Sequence, residues 1–138
     1  MTSQLNVDTI VDKAGSGGTN VKVGNTSTYV ADGGSATQNL VQGVAKAWHK
    51  AQDDATIDDS FNISSGSDQG TGNYDYSFTN IMNNANYSIT CGGSYAEIGE
   101  PEQSSATASQ YTVRTFGRQD SLNNADQRQS AQIAGDLA

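Results

Sequence analysis

Apolar and polar residues alternate with period two through three pieces of the stretch 60–91, SFNISSGSDQGTGNYDYSFTNIMNNANYSITC. Phe61 and Ile63 share one face, against Ser60, Asn62 and Ser64. Tyr74, Tyr76 and Phe78 share a face, against Asp75, Ser77 and Thr79. Tyr87, Ile89 and Cys91 share a face, against Ser88 and Thr90. Successive side chains of a strand point to opposite faces, so the pattern predicts half-buried strands with one wet side. Residues 66–73 carry three glycines and no aliphatic side chain, which suits a loop needing positive φ. The simplest reading is a hairpin, 61–65 against 74–79, with a second turn at 80–86 returning the chain as a third antiparallel strand. Phe61, Ile63, Tyr76, Phe78, Tyr87 and Ile89 are then expected in one apolar layer.

The same pattern extends outward from that stretch. LNVDTIVD, 5–12, is a short strand signal closed by AGSGG, 14–18. A lone strand cannot bury its own face, so this one needs a partner, in the body or in another chain. Val21, Val23 and Tyr29 lie in a second alternation within 20–30. ADGGSATQ, 31–38, reads as a small-residue linker. LVQGVAKAWHKA, 40–51, is ambiguous. Its alanines and lysines suit a helix, while Gly43 and the spacing of Val44, Lys46 and Trp48 favour a strand. Residues 52–59, QDDATIDD, read as an acidic turn around Ile57. Residues 94–105 read as a long polar loop containing Pro101. Tyr111, Val113 and Thr115 share one face of a strand within 106–116, and 127–133 is a last strand with a weak apolar face. The predicted class is all-β: a small antiparallel β-sandwich or jelly-roll-like module over 34–138, with an extended arm or attachment segment over 1–33.

Composition narrows the function. The chain has 138 residues, 34% of them hydrophobic, with 15 glycines, 6 tyrosines and 3 phenylalanines. A thin β-structure, some of whose apolar surface is completed by neighbouring subunits, is expected. The net charge is −8, with only 7 Lys and Arg. Phosphate contacts need cations, so no nucleic-acid partner is expected. No window reaches the roughly 20 apolar residues of a membrane span, and no membrane insertion is expected. Met1-Thr2-Ser3-Gln4 lacks the basic start of a secretory leader, so synthesis in a cytoplasm is expected. The N-x-S triplets at Asn25, Asn62 and Asn86 then read as chance in an Asn/Ser-rich chain.

Catalytic, cofactor and metal sites are expected to be absent. His49 is the only histidine, and no G-x-S-x-G nucleophile motif accompanies it. It is expected as a surface or interface residue. Asp53, Asp54, Asp58 and Asp59 read as a solvated turn, because the alternating ligand pattern of a Ca²⁺ loop is missing. Cys91 falls on an apolar face and reads as a buried small hydrophobe rather than a reactive thiol. The glycine-rich pieces 15–18 and 66–72 lack the G-K-[ST] ending of a phosphate loop.

Two signatures resemble bacteriophage virion proteins, above all the small β-modules of tail fibres from marine podovirus-type phages (cyanophage and pelagiphage). One is the opening SQLNVDTIVDKAGSGG. The other runs from GVAKAW through SFNISSGSDQGTGNYDYSFTNIMNNANYSIT: a Trp strand, an S-F-N strand, a G-T-G hairpin, a Y-x-Y-x-F strand and an N-A-N-Y strand. Together they cover roughly half the chain. The resemblance implies a non-enzymatic structural subunit on the virion exterior, trimeric, acting in assembly and host attachment. There is no long shaft, and the end QRQSAQIAGDLA is less regular than in such modules. Both departures turn the expectation from a long fibre to a short fibre, a tail appendage or a capsid-surface (decoration or head-fibre) protein. Leu5, Val7, Ile10 and Trp48 are the expected interface residues. The expected partners are other copies, other virion proteins through the arm, and a host surface glycan. A carbohydrate-binding module displaying Trp48 is the alternative from another class. For Trp48 itself, an interface and its own subunit's core are both open.

Overall fold

The structure, a computed structural model, describes residues 28–30, 37–39, 43–93, 98–117 and 123–135. The described residues are all-β apart from one 3-10 turn at Gln103–Ser105. They fall in two units, Met1–Val41 and Gln42–Ala138. In the first unit β1 (Thr28–Val30) pairs antiparallel with β2 (Thr37–Asn39), Tyr29 opposite Gln38. The predicted linker 31–38 therefore ends in a strand. Leu5, Val7 and Ile10 lie outside the described residues.

The second unit is a β-sandwich of two antiparallel four-stranded sheets. The first has the order β4 (Ile57–Phe61), β3 (Ala47–Ala51), β10 (Gln129–Ala134), β7 (Ser88–Gly93). The second has the order β5 (Ile63–Asp68), β6 (Asn73–Phe78), β9 (Gln110–Phe116), β8 (Ile98–Pro101). The expected hairpin is β5–β6, with Gly66 opposite Tyr76 and Ile63 opposite Phe78. Its loop is shorter than the glycines suggest, because Gly66 sits inside β5. No room exists there for a side chain: a Cβ on Gly66 would collide with the Ala55 carbonyl oxygen and the Tyr76 ring.

Three expectations are corrected. After 80–86 the chain does not return beside β6. It crosses to the other sheet, where β7 pairs with β10. The acidic turn is confined to 52–56, held by Gln52 N–H donating to Thr56 O at 2.9 Å, and Ile57 already opens β4. The polar loop 94–105 contains β8, an edge strand whose Pro101 suits a place at the rim of a sheet.

The core forms between the sheets, and its two walls complement each other in size. Ala47, Ala51 and Ala131 point inward from the first sheet, while Tyr74, Tyr76 and Tyr111 point inward from the second, all buried. Phe78, Tyr87, Met82, Ile89, Val113 and Ile133 fill the rest. Large tyrosines over alanines let a chain of modest hydrophobic content close its own core. The hydroxyls of Tyr74, Tyr87 and Tyr111 find hydrogen-bond partners. Tyr87 OH donates at the Gln110 carbonyl, 2.8 Å away. Tyr74 OH lies 3.0 Å from Asp53 O and accepts the Gln127 N–H at 3.2 Å.

Both corners of the sandwich are joined. β4 runs into β5 through Asn62, whose φ of 59° turns the strand from one sheet to the other. At the far corner Gly99 of β8 lies against Gly92 and Gly93 of β7, so close that a Cβ there would sit 3.2 Å from the Gly92 carbonyl carbon.

Candidate functional site: the outer face of the first sheet

Strand alternation sorts the first sheet into an inner and an outer set. Inward go Ala47, His49 and Ala51 of β3, and Gln129, Ala131 and Ile133 of β10. Outward go Trp48 and Lys50, then Ser130 and Gln132. Register sets these outward side chains in rows across the strands. One row reads Phe61, Trp48, Gln132, Thr90; the next reads Asp59, Lys50, Ser130, Gly92.

Trp48 and Phe61 are thus cross-strand neighbours, and both stay in solvent, 38% and 54% exposed. This settles Trp48 against its own subunit's core. It also corrects the place of Phe61, which was expected in the apolar layer with Ile63. The left-handed turn at Asn62 puts Phe61 outside one sheet and Ile63 inside the other. Beyond the two rings, Trp48, Thr90, Ser130 and Gln132 border an open groove of about 510 Å³ whose floor includes Gly92. Lys50 Nζ stands 3.8 Å from Asp58, an exposed contact that restrains it weakly.

His49, expected as a surface or interface residue, is buried inside its own sandwich at 1% exposure. Its ring stacks on Tyr76 with centroids 3.8 Å apart, and Nδ1 shares a 2.5 Å hydrogen bond with Tyr111 OH. Burial pushes its pKa down to about 4, so the imidazole is neutral at pH 7. Nε2 and the neighbouring Tyr76 hydroxyl are both buried without a hydrogen-bond partner. Cys91 faces the same interior, and burial pushes its thiol up to about 12, well away from thiolate chemistry at neutral pH.

Asp53, Asp54, Asp58 and Asp59 are all exposed. Asp54 Oδ1 accepts the Thr56 N–H at 2.8 Å, and Asp58 Oδ1 accepts from Gln52 Nε2 at 2.7 Å. They serve the turn and the start of β4. Among the described residues no three His, Cys, Asp or Glu side chains are grouped for a metal ion. Sequence reasoning singled out Trp48 but missed its partner Phe61. The available signal was Asn62, a residue type that tolerates left-handed backbone.

Comparison of the chain with protein-family models, with curated proteins and with solved structures finds no match. The fold and its outer face define a small β-sandwich with an exposed aromatic pair.

Proposed function

We propose that this chain is a non-enzymatic structural subunit of a phage virion exterior, a short tail fibre or tail appendage acting in assembly and host attachment. The supporting observation is the Trp48–Phe61 pair, presented on the outside of a sandwich that fills its own core. A surface of that kind serves contact rather than turnover. The one histidine and the one cysteine are both turned toward the core, where burial keeps the imidazole neutral and the thiol protonated. The phage setting rests on the two sequence signatures, SQLNVDTIVDKAGSGG and the run from GVAKAW to NANYSIT. Capsid-surface decoration is the variant of this reading on another part of the particle.

The subunit assembles as a homotrimer and joins the particle through its first residues, where Leu5, Val7 and Ile10 lie. Tracing the chain in a density map of intact particles, or finding it by mass spectrometry in gradient-purified virions, tests the setting. Its absence from purified particles overturns the reading.

A further inference from the structure

We propose that the outer face of the first sheet binds a neutral polysaccharide, with Trp48 and Phe61 as the stacking platform and Gln132, Thr90, Lys50 and Asp59 as its hydrogen-bonding partners.

The rings come first. Cross-strand partners on one face stand about 5 Å apart at Cβ, so Trp48 and Phe61, partners in register and both exposed, present two aromatic side chains on the same face. The C–H face of a pyranose is apolar and slightly positive, which matches the negative face of an aromatic ring. A chain of sugars also presents such faces repeatedly, and two side-by-side rings suit a repeat better than a single ring does.

The rest of the face has the other half of sugar chemistry. Gln132 and Thr90 continue the aromatic row, and Asp59, Lys50 and Ser130 form the next. Sugar hydroxyls donate and accept at once. A primary amide and an alcohol do both, a carboxylate accepts, and an ammonium donates. Gly92 leaves the far end of the second row open, so the groove beside Trp48 stays clear.

Charge selects among occupants. The aromatic row is uncharged, and beside it Lys50 faces Asp59 in register and lies 3.8 Å from Asp58, one cation against two carboxylates. An uncharged row with a slight acidic excess beside it, in a chain of net charge −8, suits an uncharged ligand and disfavours acidic ones. A second copy carries the same −8 and would bring serine and threonine into the centre of the contact. Protein interfaces are enriched in Trp and Phe there but depleted in Ser.

This inference names a ligand for the attachment role and rests on that role only for its setting. Binding is a property of the isolated full chain, so its failure and the failure of the virion reading are seen separately. The chain has 1 tryptophan, which makes its fluorescence a reporter of this face alone. Oligosaccharides of a glucan, a mannan and a galactan are titrated into the full chain, with a polyuronate in parallel. A saturable change in Trp48 emission is expected with at least one neutral sugar. Phe61→Ala is expected to weaken it about tenfold while the melting temperature holds, because Phe61 lies outside the core. Gln132→Ala, a second variant on the exposed side, is expected to weaken it as well. Ile81→Ala, exposed and outside these rows, is expected to leave it unchanged. No response to any neutral sugar, a response to the polyuronate alone, or full affinity in both Phe61→Ala and Gln132→Ala overturns the proposal. So does emission that depends on protein concentration without sugar, which assigns the face to a second copy.

Discussion

The His49 imidazole on β3 and the Tyr111 hydroxyl on β9 meet at 2.5 Å between the two sheets, a polar link across the core. Tyr76 stacks on the same imidazole. The link satisfies Nδ1 and leaves Nε2 buried without a partner. A charged imidazole has no counter-charge here, since the groups facing it are Tyr76, Tyr111 and the Cys91 side of β7, all neutral at pH 7.

Stability should therefore fall with acid in a defined window. His49 has its pKa lowered from 6.5 to about 4. The unfolded chain binds a proton below about pH 6.5, and the folded chain holds out until about pH 4. The contribution is complete above the upper value and is lost as pH falls through the window. The loss is on the order of 3 kcal/mol at most, from the cost per pKa unit. Urea melts at pH 7 and pH 4 measure it. His49→Phe should flatten that part of the profile, and an unchanged slope in that variant would refute the account.

Phe78 tests the core. It is buried, its ring edge-on to Tyr87 with centroids 5.6 Å apart and tilted against Tyr111 at 5.3 Å. Phe78→Ala should cost about 3–5 kcal/mol, a large part of a small domain's stability. Phe61→Ala, by contrast, should cost under about 1 kcal/mol, since that ring is on the outside. Equal losses in the two variants would mean the faces are misassigned.

Much of this fold was legible because period-two alternation needs only local information. Tyr74, Tyr76 and Phe78 face inward together, as do Tyr111, Val113 and Thr115. What alternation does not carry is which sheet a strand joins. Ser60 to Ser64 alternates without interruption, yet the chain changes sheets in the middle of it. Likewise, β7 continues the pattern of β6 but pairs with β10. The burial of His49 was hidden for a related reason. Its neighbours Trp48 and Lys50 are outward, and nothing local says that the intervening polar ring meets Tyr76 and Tyr111 from the opposite sheet. Trp48 was picked out by its type alone, and its partner Phe61 only appears once the register is known.

Asn62 tests how the corner is held. Its backbone has φ of 59°, its Oδ1 accepts the Asn80 N–H at 2.7 Å, and its Nδ2 lies 3.1 Å from the Lys46 carbonyl. Asn62→Ala loses the hydrogen bonds and strains the backbone, which should cost about 2–3 kcal/mol. Asn62→Gly loses the hydrogen bonds but keeps the conformation at ease, and should recover about 1 kcal/mol of that. If glycine is no better than alanine, the left-handed backbone is not what the corner requires.

The last prediction concerns assembly. Open sheet edges are one motive for a trimer, because they need covering. In the structure β4, β7, β5 and β8 each end a sheet with one hydrogen-bonded neighbour, so that motive stands. The other motive is in the sequence: Leu5, Val7 and Ile10 stand in a strand-like run that glycines 15, 17 and 18 separate from the rest. A symmetric trimer buries the same apolar stretch in each copy. Light scattering of the full chain at micromolar concentration should then give three times the monomer mass. Leu5→Asp with Val7→Asp should give a monomer that still melts cooperatively, since the sandwich fills its own core. Trp48→Ala should leave the trimer intact, because that ring is assigned to a sugar. A wild-type chain that scatters as a cooperative monomer refutes the trimer. A trimer that survives both aspartates but dissociates with Trp48→Ala moves the interface to the outer face of the first sheet and removes the sugar from it.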